Sequence, residues 1–165
     1  MKRLLSWIIP AMLPIMLAVV LTGCSSTPRR SMFPPTLSIQ QLHVQPNGHW
    51  HMQVRILNNS YGSMEFRELH LTMLIDNQQA TQIDARFKLD IPALSADVTD
   101  VDIAPSPAAR AALAAIAGKG SSSALAYTLK GKASAIPEHQ DSPRDYDVDS
   151  HDWLSAVPGI ADTYR

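Results

Sequence analysis

His43, His49 and His51 are the side chains whose type and spacing first suggest chemistry. Imidazoles on neighbouring strands come close enough to share a metal ion. Pro46-Asn47-Gly48 between them reads as a hairpin loop, with Pro suited to the first turn position and Gly to the last. That loop sets Val44 opposite Trp50 and Leu42 opposite Met52 on a core face. It also sets His43 opposite His51 on the outer face, with His49 two residues from His51 on the same side. No Asp or Glu flanks them as a third ligand or orienting partner, and His is ordinary on the polar face of a half-buried sheet. Asp145, Asp147 and Asp149, with Asp141 and Asp152 nearby, match a calcium loop only in their alternation. The glycine and terminal Glu of such a loop are missing, so solvated charge accounts for them. Ser25-Ser26 and Ser121-Ser122-Ser123 lack a Gly-x-Ser-x-Gly elbow. Gly118-Lys119-Gly120-Ser121 lacks the upstream glycine spacing of a phosphate loop. No pair of carboxylates stands out. The expectation is therefore no catalytic residue, no bound metal and no cofactor, in a chain that is not an enzyme.

The sole cysteine, Cys24, is different. It follows Lys2-Arg3 and an uncharged apolar stretch from Leu4 to Leu21. That is the order of a secretory signal: a basic start, then an apolar run. The stretch is long enough to rival a retained transmembrane helix, but Pro10 and Pro14 interrupt it and cannot donate backbone hydrogen bonds. It ends in Leu21-Thr22-Gly23-Cys24, which resembles the bacterial lipobox. The resemblance implies a diacylglyceryl group on the Cys24 thiol, cleavage before it, and acylation (palmitate or a similar chain) of the new amine. A lone exposed thiol in an oxidising compartment is a liability, which acylation removes. Two or three acyl chains together anchor stably where one does not. By resemblance to enteric lipoproteins, Ser25 rather than Asp after the cysteine points to the outer membrane, facing the periplasm.

Composition narrows the rest. Residues 1–23 are expected to be the signal peptide and 24–35 a lipidated tether containing Arg29-Arg30 and Pro34-Pro35. Loss of Lys2 and Arg3 takes the formal charge from −1 to −3, the wrong sign for a nucleic-acid binder. The remaining length suits one domain with a real core.

That remainder has mostly a period of two. Trp50, Met52, Val54 and Ile56 alternate with polar residues, as in a strand with one face buried. Ile83, Ala85, Phe87, Leu89 and Ile91 alternate likewise, and Trp50 and Phe87 are expected to be buried. Leu69, Leu71, Met73 and Ile75 form another run. Met64 and Phe66 sit on the opposite parity, which predicts a β-bulge near Arg67-Glu68. Val98 against Val101 and Ile103 suggests a similar slip. Asp76-Asn77-Gln78-Gln79 marks a second hairpin, and Leu125, Tyr127 and Leu129 a late strand. Between them, Ser106 as N-cap, Pro107 at the first helical position, an alanine-rich run and Gly118 predict one short helix. Its narrow stripe is Ala109, Ala112, Leu113 and Ile116. Many short strands, tight turns and one helix between late strands predict an all-β, immunoglobulin- or fibronectin-III-like β-sandwich. The sandwich is expected over 36–134. Residues 135–165 are expected to be an acidic C-terminal extension with at most one more short strand, near Tyr146 and Val148, its apolar end folded back.

From about Pro35 to Ala133 the chain resembles the type 2 late embryogenesis abundant family, whose module is also called the WHy domain. The resemblance rests on Leu37-Ser38-Ile39-Gln40-Gln41-Leu42, a second strand closing in Asn58-Asn59, and Met64-Glu65-Phe66-Arg67-Glu68-Leu69. Ile91-Pro92-Ala93-Leu94 and Tyr127-Thr128-Leu129-Lys130-Gly131 complete it. The family's usual Asn-Pro-Asn is here Asn58-Asn59-Ser60. The resemblance implies the same sandwich, a part in tolerance of desiccation and other stress, and no active-site residue to carry over. The expected protein is thus a membrane-anchored, non-enzymatic envelope lipoprotein with a binding or protective domain. Its partners are membrane lipid, through acylated Cys24, and protein clients. The alternative is a structural accessory subunit of an envelope complex.

Overall fold

The computed structural model describes residues 31–117, 119 and 123–165. The signal segment 1–23, Cys24, the first part of the tether, Gly118 and Ser121-Ser122 lie outside the described residues. The strands are β1 (Thr36–Val44), β2 (Trp50–Leu57), β3 (Met64–Ile75), β4 (Gln78–Ile91), β5 (Ala96–Ile103), β6 (Ala124–Pro137), β7 (Arg144–Ser155) and β8 (Thr163–Tyr164). One helix, α1 (Pro107–Ala117), joins β5 to β6. The strands form two antiparallel sheets, ordered β5-β2-β1-β8 and β4-β3-β6-β7. This is the all-β sandwich expected, with its short helix between late strands.

The core lies where the apolar parity of the two sheets meets. Trp50, Met52, Val54 and Ile56 of β2 are all 0% exposed, facing Met64, Phe66, Leu69 and Met73 of β3, also 0%. The β1–β2 register pairs Val44 with Trp50 and Leu42 with Met52, as the loop chemistry predicts. Gly48 takes the left-handed turn position with φ 80°. The β3–β4 hairpin turns through Asp76 (φ 48°) and Asn77 (φ 60°), the pair of positive angles that a right-twisted two-residue hairpin needs. Ser106 caps α1 by accepting the Ala109 N–H at 3.2 Å. Ala109, Leu113 and Ile116 form its buried stripe.

The bulge in β3 falls between Phe66 and Glu68 against both neighbours. A second bulge, between Ile39 and Gln41 of β1, was equally visible in sequence. Leu37 and Ile39 are odd-numbered core residues and Leu42 is even. The slip expected in β5 is corrected: its pairing with β2 runs unbroken from Trp50–Ile103 to Leu57–Ala96. Val98 therefore lies on the outer face opposite Arg55. Phe87 is also corrected, from buried to half-buried. Its parity is right, but β4 is the outermost strand of its sheet and covers the ring from one side only.

The expected extension at 135–165 is the largest correction. The boundary at 134 falls inside β6. β7 is a full strand of twelve residues, paired with β6 from Ala124–Ser155 to Ala135–Arg144. β8 then crosses to the other sheet and pairs Tyr164 with Leu42 and Thr163 with His43. Val148, Leu154 and Tyr164 are core residues. Polar residues hid this strand: its alternation is Asp against weakly apolar or polar positions, because only half of its inward face reaches the core.

Two contacts close the sandwich along β1, where β8 covers only Leu42 and His43. The Ile39 N–H donates to the Tyr127 hydroxyl at 2.8 Å, and the Leu37 N–H to Ser150 Oγ at 3.3 Å. Side chains of one sheet thus satisfy edge donors of the other, which otherwise face an apolar interior. Burial pushes the Tyr127 phenol up to about 12, although the Ile39 bond acts in the opposite sense.

Packing here generates two expectations. Gly131, with φ 149°, lies between Leu71 and Val148, and a Cβ there would sit 2.1 Å from the His70 carbonyl oxygen. Gly131→Ala should therefore push β3 from β6 and lower the melting temperature more than any outer-face alanine substitution. Trp50→Ala should cost roughly 3–5 kcal/mol, a large part of the about 5–15 kcal/mol of a typical domain. Urea unfolding checks both, and an unchanged midpoint for either would contradict the packing described.

Candidate functional site

The histidine face forms with the expected pairing, His43 opposite His51. What each ring touches differs from the expectation. His43 Nδ1 lies 3.2 Å from Thr163 Oγ1 on β8. His51 meets two carboxylates from β5: Nδ1 is 3.0 Å from Asp102 and Nε2 3.5 Å from Asp100. The expectation that His51 has no acidic neighbour is thereby corrected. The carboxylates are distant in sequence and arrive only through the β2–β5 ladder. Gln45 Nε2 also donates to Asp102 at 3.0 Å. His49 is exposed beside the turn, its N–H bonded to Asn47 Oδ1. Among the described residues no three His, Cys, Asp or Glu side chains converge as a ligand set.

The tail aspartates face lysines of β6. Asp147 is opposite Lys132 and Asp149 opposite Lys130, at 3.6 Å and 3.8 Å. Such exposed pairs are worth little individually. They favour one register, and they give Asp147 and Asp149, two of the three alternating acids, a lysine across the strand pair.

Sequence reasoning missed the denser cluster on the outer face of β3 and β4. Glu65 holds Lys88 at 3.0 Å and pairs with Arg67; Glu68 holds Arg86 at 3.2 Å. His70 sits between Asp84, at 2.8 Å, and Glu68, at 3.2 Å. The Lys88 hydrogen bond leads in holding the Glu65 carboxyl below its ordinary pKa. The Asp84 bond, followed by that of Glu68, raises the His70 pKa. The hairpin at Asp76-Asn77 alone would set His70 opposite Ile83. A register shift between Met73 and Leu74 moves the pairing by one residue and brings Asp84 opposite His70, which turn chemistry does not announce.

Two clefts flank α1. One, of about 80 Å³, lies between Ile75–Ala80 and Ala108–Ala112. The other is an open groove of about 610 Å³ under the loop from Ala156 to β8, lined by Val157, Ile160 and Asp162 among others. Neither brings a nucleophile together with a base.

The most organised polar centre lies at the opposite end, where the tether enters. Asn58 is 0% exposed. Its side-chain amide donates to the carbonyls of Gly62 (2.9 Å), Ile91 (3.0 Å) and Pro92 (3.1 Å), and its Oδ1 accepts the Ser60 N–H at 2.9 Å. Ser60, also 0% exposed, accepts the Phe33 N–H at 2.9 Å. Asn59 reaches the Pro34 carbonyl and Thr36 Oγ1, each at 2.9 Å. The last residues of the tether are therefore bolted to the sandwich. Around this centre Phe33, Tyr61 and Leu94 remain exposed.

No family model matches the chain, and no curated protein matches it. Solved structures with a similar β fold include the Arabidopsis thaliana protein AT1g01470 (solution structure; 11% identity; TM-score 0.46). That match covers 86% of this chain and 94% of the other. The structural genomics target SoR45 aligns at 10% identity and TM-score 0.44, over 77% and 89% of the two chains. A protein from Archaeoglobus fulgidus aligns at 8% and TM-score 0.40, over 77% and 100%.

Two outcomes follow. Asn58→Ala leaves the Gly62 and Ile91 carbonyls and the Ser60 N–H to find other partners, so it should destabilise by about 2–3 kcal/mol, measured by denaturant unfolding. His70 supplies a pH signature. Its pKa is raised on folding, so its contribution is complete below the unfolded imidazole value of about 6.5 and is lost as pH rises through the higher folded value. The melting-temperature gap between wild type and His70→Gln should shrink as pH is taken upward from 6.5. A gap that widens would contradict the ion-pair geometry.

Proposed function

We propose that this chain is a bacterial lipoprotein, anchored through acylated Cys24 in the outer membrane and facing the periplasm. Its β-sandwich acts there by binding or protecting other proteins rather than by catalysis. The observation that carries the anchor is Leu21-Thr22-Gly23-Cys24, standing behind a basic start and an uncharged stretch interrupted by Pro10 and Pro14. The only cysteine of the chain occupies the one position where acylation is useful. The likeness to type 2 late embryogenesis abundant proteins supports a role in desiccation or stress tolerance. The side-chain partners of His43 and His51 fit this reading, since Thr163 and the Asp100–Asp102 pair explain their placement on an outer face. A tethered sandwich would sample the nearby periplasm and meet many clients weakly.

Labelling cells with a clickable fatty acid tests the anchor: wild type should take up label and Cys24→Ser should not. Equal labelling would remove the lipoprotein reading. For the domain, residues 31–165 should protect a labile enzyme during drying in proportion to concentration, beyond a control protein of equal mass and charge. Replacing His43, His49 and His51 together should leave that protection intact. A zinc-dependent rise in melting temperature that the triple variant loses would instead establish a metal-binding role, since binding to the native state alone raises stability by mass action. One stoichiometric partner recovered by crosslinking in intact cells would favour the accessory-subunit alternative.

A further inference from the structure

Of the five large exposed apolar side chains among the described residues, three gather at one end of the sandwich, while Trp153 and Ile160 stand apart from them toward the other. Phe33 is 44% exposed, Tyr61 59% and Leu94 60%. Their backbones converge on Ser60. The Phe33 N–H donates to its hydroxyl, the Leu94 N–H donates to its carbonyl at 3.2 Å, and Tyr61 follows it in the chain. The Phe33 and Tyr61 rings meet edge to face with centroids 6.1 Å apart. Leu94 holds φ 53°, a left-handed conformation that favours Gly or Asn. The turn thus spends conformational energy on a residue whose side chain then points into water. Three such groups held side by side form a patch that the monomer does not cover.

Where the chain leads decides what covers it. Seven residues take the backbone from Cys24 to Ser31, a span of at most about 25 Å. The Tyr61 N–H holds Ser31 through its carbonyl at 3.1 Å. If Cys24 is acylated, as proposed above and on which this inference rests, the bilayer surface lies within that reach of the patch.

We propose that Phe33, Tyr61 and Leu94 dock into the interfacial layer of the membrane that holds the lipid anchor, standing the sandwich end-on. A phenol with its apolar ring and polar tip suits the headgroup boundary, and phenylalanine and leucine suit the layer beneath. The short tether makes this second contact intramolecular, so weak insertion suffices to fix the orientation. The β1–β2 and β3–β4 hairpins and α1 then face away from the bilayer. Glu138, Asp141 and Asp145 also lie at the docking end and outnumber Arg144 in the same segment. The contact therefore depends on apolar insertion and not on attraction to anionic lipid, and it persists in high salt.

Tryptophan quenching reads the orientation directly. Trp50 is buried, and Trp153, 63% exposed, lies near the end of β7 at the far end of the molecule. Twelve residues of β3 separate the two ends, about 40 Å at strand rise. The lipidated full-length product is reconstituted in phosphatidylethanolamine–phosphatidylglycerol vesicles containing acyl-brominated lipid. Wild-type emission should be little quenched. Tyr61→Trp, an exposed substitution outside the core, should be quenched severalfold more, at low and at high salt. Adding Phe33→Ser and Leu94→Ser to Tyr61→Trp should return quenching toward the wild-type level. Equal quenching of Tyr61→Trp and wild type, in protein that carries acyl mass on Cys24 and floats with vesicles, overturns docking and leaves the anchor standing. Strong quenching of wild-type Trp153 overturns it in favour of the opposite end. A product without acyl mass on Cys24 overturns the anchor, and the docking inference with it.

Discussion

Asn58 holds the two sheets in one arrangement. The chain passes between the sheets twice at this end, from β2 to β3 through residues 58–63 and from β4 to β5 through residues 92–95. One buried amide bonds to both passages: Gly62 and Ser60 on the first, Ile91 and Pro92 at the start of the second. Its own N–H donates to the Ser95 carbonyl at 2.9 Å. Two amide protons serve three carbonyls, so one of them is shared. The Pro92 carbonyl also accepts the Ser95 N–H at 3.3 Å. The Gly62 and Ile91 carbonyls are held by the Asn58 amide, and losing it leaves buried acceptors to be satisfied, so the two crossovers are tied to one another. Hydrophobic burial favours any sandwich of these strands. The Asn58 network selects the one in which both crossovers lie together and the tether packs over them.

The two ends of the molecule differ as a result. The end built on Asn58 gathers the chain entry, both crossovers and the β6–β7 turn, and it carries Phe33, Tyr61 and Leu94 on its surface. The far end carries the β1–β2 and β3–β4 hairpins, α1 and the loop before β8. Between them the outer faces are polar and paired across strands, from His70 with Asp84 to Lys132 with Asp147. These pairs contribute little to stability in water. They keep the faces hydrated and make a shifted register unfavourable, which matters for strands such as β4 and β7 that lie at a sheet edge.

Much of the fold was legible in the sequence because the information is local. A strand exposes its period in its own residues, so the buried face of β2 and the bulge after Phe66 could be read directly. Asp76-Asn77 and Pro46-Asn47-Gly48 carry their turn geometry in their residue types; the latter fixes the near register of β1 with β2, whereas β3 and β4 shift by one residue between Met73 and Leu74. Ser106, Pro107 and the alanines do the same for α1. The apolar run ending at Cys24 is likewise a local pattern, and the whole anchor reading comes from it.

Other features depend on residues distant in sequence, and only the tertiary structure decided them. β7 has few apolar residues, so its pattern looks like solvated tail. It becomes a strand because β6 offers a complementary edge with Lys130 and Lys132 opposite its aspartates. His51 acquires Asp100 and Asp102 only when β5 lies beside β2. Phe87 has the parity of a core residue, yet an edge position leaves it half covered. The hydroxyl of Tyr127 closes the edge of β1 across the interior, a contact between residues 88 positions apart. Phe33, Tyr61 and Leu94 are separate, unremarked positions along the chain. They become a surface because Asn58 and Ser60 draw three segments to one point, and no periodicity encodes that convergence.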